Sequence, residues 1–414
     1  MKPTIIKNIK IHTMSDKFGT IERGYIAFDD GRITGIASGE PELIAGAEII
    51  DAEATYGANA AIYPGFIDGH THLGLAEDSL TFEGDDINEA TDPCTAQLRG
   101  IDAINPRDRC FEEARQGGVT CVAAGPGSAN PIGGQIAVIK TAGRRVDDMI
   151  VAAPAAMKFA LGENPKNVYH SKNQAPETRM ATASVIRENL TKAKKYGEMW
   201  NKYYAAIEKY KTALAKAKKT DDDEPDEPDE PEYDAKCAAL LPVVQGILPA
   251  HFHAHRADDI FTAVRISREF GLKYSIVHCT DGMSIADELA ADGVTAFAGP
   301  NLCDRSKPEL RSQSFENPGV LDRAGVKLGI TTDHPVIPLQ YLPLCAALAV
   351  RAGMDRLSAL RAITINPAEI LGIADRVGSL EPGKDADLAI WDGDPFEVMS
   401  RPASVWIDGV KTQG

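Results

Sequence analysis

Residues 64–74 read PGFIDGHTHLG, an apolar strand that opens in a Pro-Gly turn and closes with two histidines one residue apart. Side chains alternate faces along a strand, so His70 and His72 project to one side and Thr71 to the other. Two imidazoles on one face can grip a metal ion, or can stand as solvated polar residues at a strand end. The rest of the chain decides between these readings.

Outward from that strand, runs with strand character alternate with helical patterns, the signature of a βα barrel. Eight runs are counted: YPGFIDGH, GVTCVAAGPG, QIAVIKT, AAMKFAL, LPAHFHAH, KYSIVHC, VTAFAGP and VKLGITTD. Eight strands are what a closed (β/α)8 TIM barrel needs, and 414 residues accommodate such a barrel of ~250 residues with an accessory domain. Residues 61–375 are therefore expected to form the barrel. Residues 1–60 and 376–414 show short alternating strands closed by DG turns, too few at either end to bury a core alone. The two ends are expected to pair into one small composite β-sandwich. Within the barrel, an insertion near residues 178–236 begins as a long Lys-, Ala- and Tyr-rich helical stretch. It passes into Asp221–Asp234, where ten acids and regularly spaced prolines predict a solvated loop with little bearing on stability.

A formal charge of −16 argues against phosphate-backbone or anionic membrane partners, so neither nucleic acid nor membrane is expected. The seven cysteines show no CxxC pairing, and the N-terminus lacks the uninterrupted apolar core of a secretory signal. A cytoplasmic protein with free thiols follows as the expectation, with a small-molecule substrate and homo-oligomerisation left open.

Barrel chemistry sits at the C-terminal ends of the strands, and the polar residues gather there. Strand one ends in His70 and His72, strand four carries Lys158, strand five His251, His253 and His255, strand six ends in His278, and strand eight runs into Asp333 and His334. Imidazole nitrogens with a carboxylate suit Zn²⁺, with Mn²⁺, Fe²⁺ or Co²⁺ as alternatives.

The chain resembles the amidohydrolase superfamily, and within it the imidazolonepropionase-like amidohydrolases, which are themselves similar to certain metal-dependent dipeptidases. The resemblance rests on PGFIDGHTHLGL, GVTCVAAGPGSANPIGGQIAVIKTAG, MKFALGENPK, HFHAHRADDI, IVHCTDG, GITTDHP, AITINPAEILGI and VGSLEPGKDADLAIWDGDP. It implies metal ligation by His70, His72, His253, His278 and Asp333, and a carboxylated Lys158 bridging two ions. An ammonium has no lone pair; a desolvated lysine that loses its proton and adds carbon dioxide becomes an anionic carbamate. Glu163, five residues on, is an alternative ligand or a substrate contact. His255, Arg256 and His334 are candidates for substrate binding.

The chemistry implied is hydrolysis of an amide-like C–N bond, with Asp333 moving the proton and His278 or a metal stabilising the oxyanion. No GxSxG elbow supports a serine nucleophile, and HFHAHRADD lacks the HxxE of related deaminases. A dipeptidase is the near rival, with Arg99, Arg179, Arg256 and Arg305 as candidate carboxylate binders. A metal-free binding or scaffold protein is the rival of another class, and the full set of His and Asp ligand positions counts against it.

Overall fold

The computed structural model describes residues 2–42, 44–78, 81–220 and 225–413. Five strands come first: β1 (Thr4–His12), β2 (Thr20–Asp29), β3 (Arg32–Ser38), β4 (Glu48–Asp51) and β5 (Ala61–Pro64). Eight more follow: β6 (Phe66–Thr71), β7 (Val119–Ala124), β8 (Ile132–Lys140), β9 (Ile150–Ala160), β10 (Ala250–Ala254), β11 (Tyr274–His278), β12 (Thr295–Ala298) and β13 (Lys327–Ile330). The chain closes with β14 (Leu388–Trp391), β15 (Pro402–Ile407) and β16 (Val410–Gln413).

The two chain ends share one sheet, ordered β16-β15-β14-β5-β1-β2-β3 with β4 beside β1. The register of β14 on β5, from Leu388 opposite Pro64 to Trp391 opposite Ala61, joins the C-terminal hairpin to the N-terminal strands. Its core, including Ile6, Ile26, Ile62, Leu388 and Trp406, draws on both ends, neither of which could bury it alone.

The second sheet is the TIM barrel, running from β6 to β13 in chain order. It departs from the all-parallel plan at β8, which is antiparallel to both β7 and β9. Only seven residues separate β7 from β8, whereas a parallel return needs a crossover of about a dozen. The antiparallel strand brings its starting residues, Ile132 to Gly134, to the barrel mouth beside Lys158, which lies opposite Gly134 in register. Inside the barrel Ile67, Val138, Val277 and Phe297 pack together. Gly69 is required there: a Cβ on it would fall 1.9 Å from the Phe297 ring.

Between β13 and β6 hydrogen bonds through other groups close the barrel. Ile330 N donates to Ala362 O and Ile67 N to Ile363 O, while at the mouth Asp68 takes the role of a backbone partner. Its carboxylate accepts from Thr331 Oγ1 (2.6 Å), Thr332 Oγ1 (2.6 Å), Thr332 N (2.8 Å) and His70 N (3.1 Å).

The insertion contains α1 (Glu163–His170), α2 (Arg179–Thr220) and α3 (Ala235–Val244), followed after β10 by α4 (Ala257–Phe270). The first part of α2 buries Ala183, Ile186, Leu190 and Ala193 against the barrel. Its distal part is half-buried at Tyr203, Ala206, Ile207, Tyr210 and Leu214, a helical stripe. Pro225, Pro228 and Pro231 are likewise half-buried while the acids between them are exposed. A period of three is that of polyproline II. Burial and then the charges of Glu230 and Glu227 raise the Tyr203 phenol, which places this segment beside the helix. Residues 225–234 thus correct the expectation of a freely solvated loop; Asp221–Glu224 lie outside the described residues. Among the described residues no helix is long and apolar enough to cross a membrane.

Barrel and sandwich are tied by a buried charge cluster. Lys140 Nζ, at the end of β8, lies 2.9 Å from Asp385, 2.5 Å from Asp387 and 3.2 Å from Asp408, and Arg376 and Arg32 also pair with Asp385. Removing the central cation leaves buried carboxylates facing one another, a loss of about 3–5 kcal/mol. Lys140→Met is expected to lower the thermal midpoint by on the order of 5–10 °C in a melting assay; an unchanged midpoint would show that the cluster contributes nothing to stability.

Candidate metal centre

The barrel mouth holds a cavity of about 280 Å³ whose walls include His70, His72, Lys158, His253, His278 and Asp333. Alternation along β6 carries His70 and His72 to it, as the period-two argument expects. His278 reaches it differently. In register Val277 pairs with His253 and His278 with Ala254, so regular alternation would aim Val277 into the barrel and His278 away. The backbone at His278 has φ 74°, a left-handed conformation that breaks the alternation and turns the imidazole to the mouth. Asp333 has φ 53°. Each costs a non-glycine residue on the order of 1–3 kcal/mol, and both sit at the same cluster.

The imidazoles are fixed through one nitrogen and offer the other. His72 Nδ1 donates to Gly125 O (2.7 Å) and His278 Nδ1 to Gly299 O (2.8 Å), while His255 Nδ1 lies 2.7 Å from Thr280 Oγ1. Anchoring of this kind sets the tautomer and leaves Nε2 with its lone pair toward the cavity. Asp333 Oδ1 stands 3.4 Å from both His70 Nε2 and His72 Nε2. It is buried and, among the described residues, has no hydrogen-bond partner. Burial holds the His278 ring at about 4, and burial together with neighbouring positive charge takes His70, His253 and His255 well below the usual imidazole range. His70 Nε2 and His72 Nε2 converge on the orphaned Asp333 oxygen, an arrangement that a cation between them would satisfy. The donor set of nitrogen and oxygen fits a first-row divalent ion. Two overlapping groups have the spacing to hold one: His70, His278 and Asp333, and His253, His255 and His278.

Lys158 is fully buried, with Nζ 3.0 Å from His70 Nε2. Burial depresses its ammonium to about 8, against the opposing pull of Asp333, so a neutral amine is accessible near physiological pH. Glu163 does not line the cavity: its carboxylate accepts from Glu309 N (3.2 Å). His255 does line it, whereas Arg256 pairs with Asp258 and His334 contributes its backbone, accepting from His72 N. His251 is enclosed against Phe297, and among the described residues neither ring nitrogen has a hydrogen-bond partner. The candidate carboxylate binders are engaged elsewhere: Arg99 with Asp102, Arg179 with Asp259, and Arg305 with Gln313 O beside a neighbouring cavity. Cys279 is buried and its thiol is pushed up to about 12 by that burial, which removes it as a nucleophile.

Three features escape the sequence reading. Asp68 stands before a register shift in β6, between Asp68 and Thr71, which breaks the alternation, so the period-two argument that groups His70 with His72 does not place it. Lys307 and Glu309 lie in a loop with no periodicity to place them, yet Lys307 lines the cavity and Glu309 Oε1 faces His255 and His253.

Comparison with known proteins agrees with this geometry. A model of the amidohydrolase family matches residues 61–412. An amidohydrolase of known structure from Thermotoga maritima MSB8 is 39% identical, with a TM-score of 0.86 and 99% of each chain covered. The amidohydrolase tasK of Hapsidospora irregularis is 28% identical over 99% of this chain, which spans 43% of that larger protein. An imidazolonepropionase from Mesorhizobium japonicum is 26% identical over 96% of this chain and 93% of its own.

Asp68 holds the turn that carries Asp333, so Asp68→Asn is expected to lower Zn²⁺ affinity about 10- to 100-fold, measured by chelator competition. Undiminished affinity would mean that the Asp68 network closes the barrel without serving the centre. From its sequence and its barrel the chain belongs to the amidohydrolase family.

Proposed function

We propose that this amidohydrolase-family hydrolase is metal-dependent and cleaves the C–N bond of a small cyclic or linear amide. The observation that carries the reading is the convergence of buried imidazoles on the orphaned Asp333 oxygen. Zn²⁺ is the cation that the nitrogen-rich donor set favours, with Mn²⁺, Fe²⁺ or Co²⁺ as substitutes. His70, His72 and Asp333 would hold it, with His278 within reach of the same cluster. A carbamate on Lys158, formed when the neutral amine adds carbon dioxide and releases a proton, would add an anionic oxygen beside His70. A divalent ion there supplies Lewis acidity, polarising a carbonyl and lowering the pKa of water from ~16 toward ~7.

The chain's own groups do the rest. Asp333, with an oxygen free of hydrogen bonds, accepts a proton from the attacking water and returns it to the departing nitrogen. His278 suits ligation and not oxyanion donation, because its Nδ1–H is spent on Gly299 O and burial keeps the ring unprotonated. The cavity, at about 280 Å³, is at the lower end of the range for small-molecule pockets. Cyclic amides head the candidate substrates, in keeping with the name of the imidazolonepropionase relative. A prolidase-like dipeptidase is the second reading. It needs a cation for the substrate carboxylate; the four arginines considered for that task do not line the cavity, and Lys307, which does, is paired with Glu309. We place the enzyme in the cytoplasm, where its unpaired cysteines remain reduced.

Asp333→Asn tests the role of the carboxylate. The variant is expected to keep its fold and part of its metal affinity while kcat for the best substrate of an amide, lactam, hydantoin and dipeptide panel falls at least a thousandfold. A normal kcat would remove Asp333 from the chemistry.

A further inference from the structure

We propose that Glu309 and His255 complete a second cation position beside the first, and that Lys307 is a built-in cation competing for it. The inference rests on the metal reading above and adds two ligands and a competitor. Glu309 is 1% exposed and directs Oε1 at the imidazoles, 3.6 Å from His255 Nε2 and 3.9 Å from His253 Nε2. These separations exceed a hydrogen bond and approach the ~3.3 Å edge of a tetrahedron built on 2.0–2.1 Å metal bonds. The ring nitrogens of His253, His255 and His278 lie within 4.8 Å of one another. His278 has one nitrogen to give, so two ions would divide the ligands: His70, His72 and Asp333 for the first, His253, His255, His278 and Glu309 for the second.

The Glu309 carboxylate is held from behind. Glu163 N, at the start of α1, donates to Glu309 Oε2 (3.0 Å), and Glu309 N donates back to the Glu163 carboxylate (3.2 Å). This reciprocal pair fixes one oxygen and leaves the other facing the histidines. Glu163, considered from sequence as a ligand, thereby acts as the support of one.

Lys307 Nζ lies 2.7 Å from that same Oε1, so the oxygen has an ion-pair partner although it makes no well-aligned hydrogen bond. The ammonium balances the charge of Glu309 but cannot satisfy the imidazole lone pairs across the gap as a central cation would. Lys307 is not locked in place: it is 29% exposed and also donates to Asn164 Oδ1 (2.9 Å). A divalent ion arriving between Glu309 and the histidines meets the repulsion of this ammonium, which can withdraw toward Asn164 and solvent. The second position is therefore weaker than the first, and the charge on Lys307 sets how much weaker.

The test uses full-length protein stripped with chelator and titrated with Co²⁺, with and without bicarbonate. It is followed by visible d–d absorption and by metal analysis after equilibrium dialysis, with melting curves to verify folding. Wild type is expected to bind one tight and one weaker ion. Lys307→Met should tighten the weaker class tenfold or more and leave the tight class unchanged. Glu309→Gln and His255→Gln should each leave about one ion per chain. A second class indifferent to Lys307→Met and Glu309→Gln overturns the inference. So does a single ion in both wild type and Lys307→Met, or a second ion that depends on Lys158 and bicarbonate alone. Absence of the tight class, or its persistence in His70→Asn, would instead overturn the metal reading itself.

Discussion

Lone pairs buried against one another without a proton between them are the constraint on which the rest of this structure depends. At the barrel mouth His70 Nε2, with Lys158 Nζ 3.0 Å away, the free nitrogens of His72 and His278 and the unpartnered oxygen of Asp333 face a common space. Hydrogen bonds from the far side of two of the rings, His72 to Gly125 O and His278 to Gly299 O, fix their orientation. Burial disfavours protonation, which would otherwise relieve the repulsion. A cation at the centre is the resolution we propose, and the proposed hydrolysis rests on it.

Holding such a cluster requires the surrounding backbone to be over-determined. His278 and Asp333 both adopt left-handed backbone conformations, and isolated chains would relax them. The Asp68 network prevents this on the Asp333 side by binding both Thr331 and Thr332, the two residues before it. Burial pushes the Asp68 carboxyl up to about 6 while hydrogen bonds from Thr331, Thr332 and the His70 amide pull it down. One buried carboxylate thus closes the barrel between its first and last strands and positions the turn that carries Asp333. Farther down, Phe297 packed on Gly69 fills the barrel below the site, so the cavity ends at the cluster of histidines and Asp333.

Much of this was legible in the sequence where periodicity carries the information. The period of two in FIDGHTH put His70 and His72 on one face, and the clustering of polar residues at strand ends located the mouth. The reversed direction of β8 was missed because counting strands ignores connection length, although GPGSANP is too short for a parallel return. The aim of His278 was beyond pattern reasoning, since it comes from one residue's left-handed φ. Lys307 and Glu309 lie in an irregular loop whose path is set by contacts with α1, and no local signal reports such contacts. In the Pro-rich acidic segment the proline spacing was read only as excluding a helix, and the apolar stripe of α2 that it accompanies went unmatched.

The central claim is that neutral imidazoles and Asp333 surround a divalent ion. X-ray absorption at the zinc K-edge of the reconstituted protein addresses it most directly. The account predicts a first shell of nitrogen and oxygen at about 2.0–2.1 Å with outer-shell imidazole scattering that weakens in His70→Asn. Zinc that washes out on dialysis, or a sulfur shell near 2.3 Å, would contradict it.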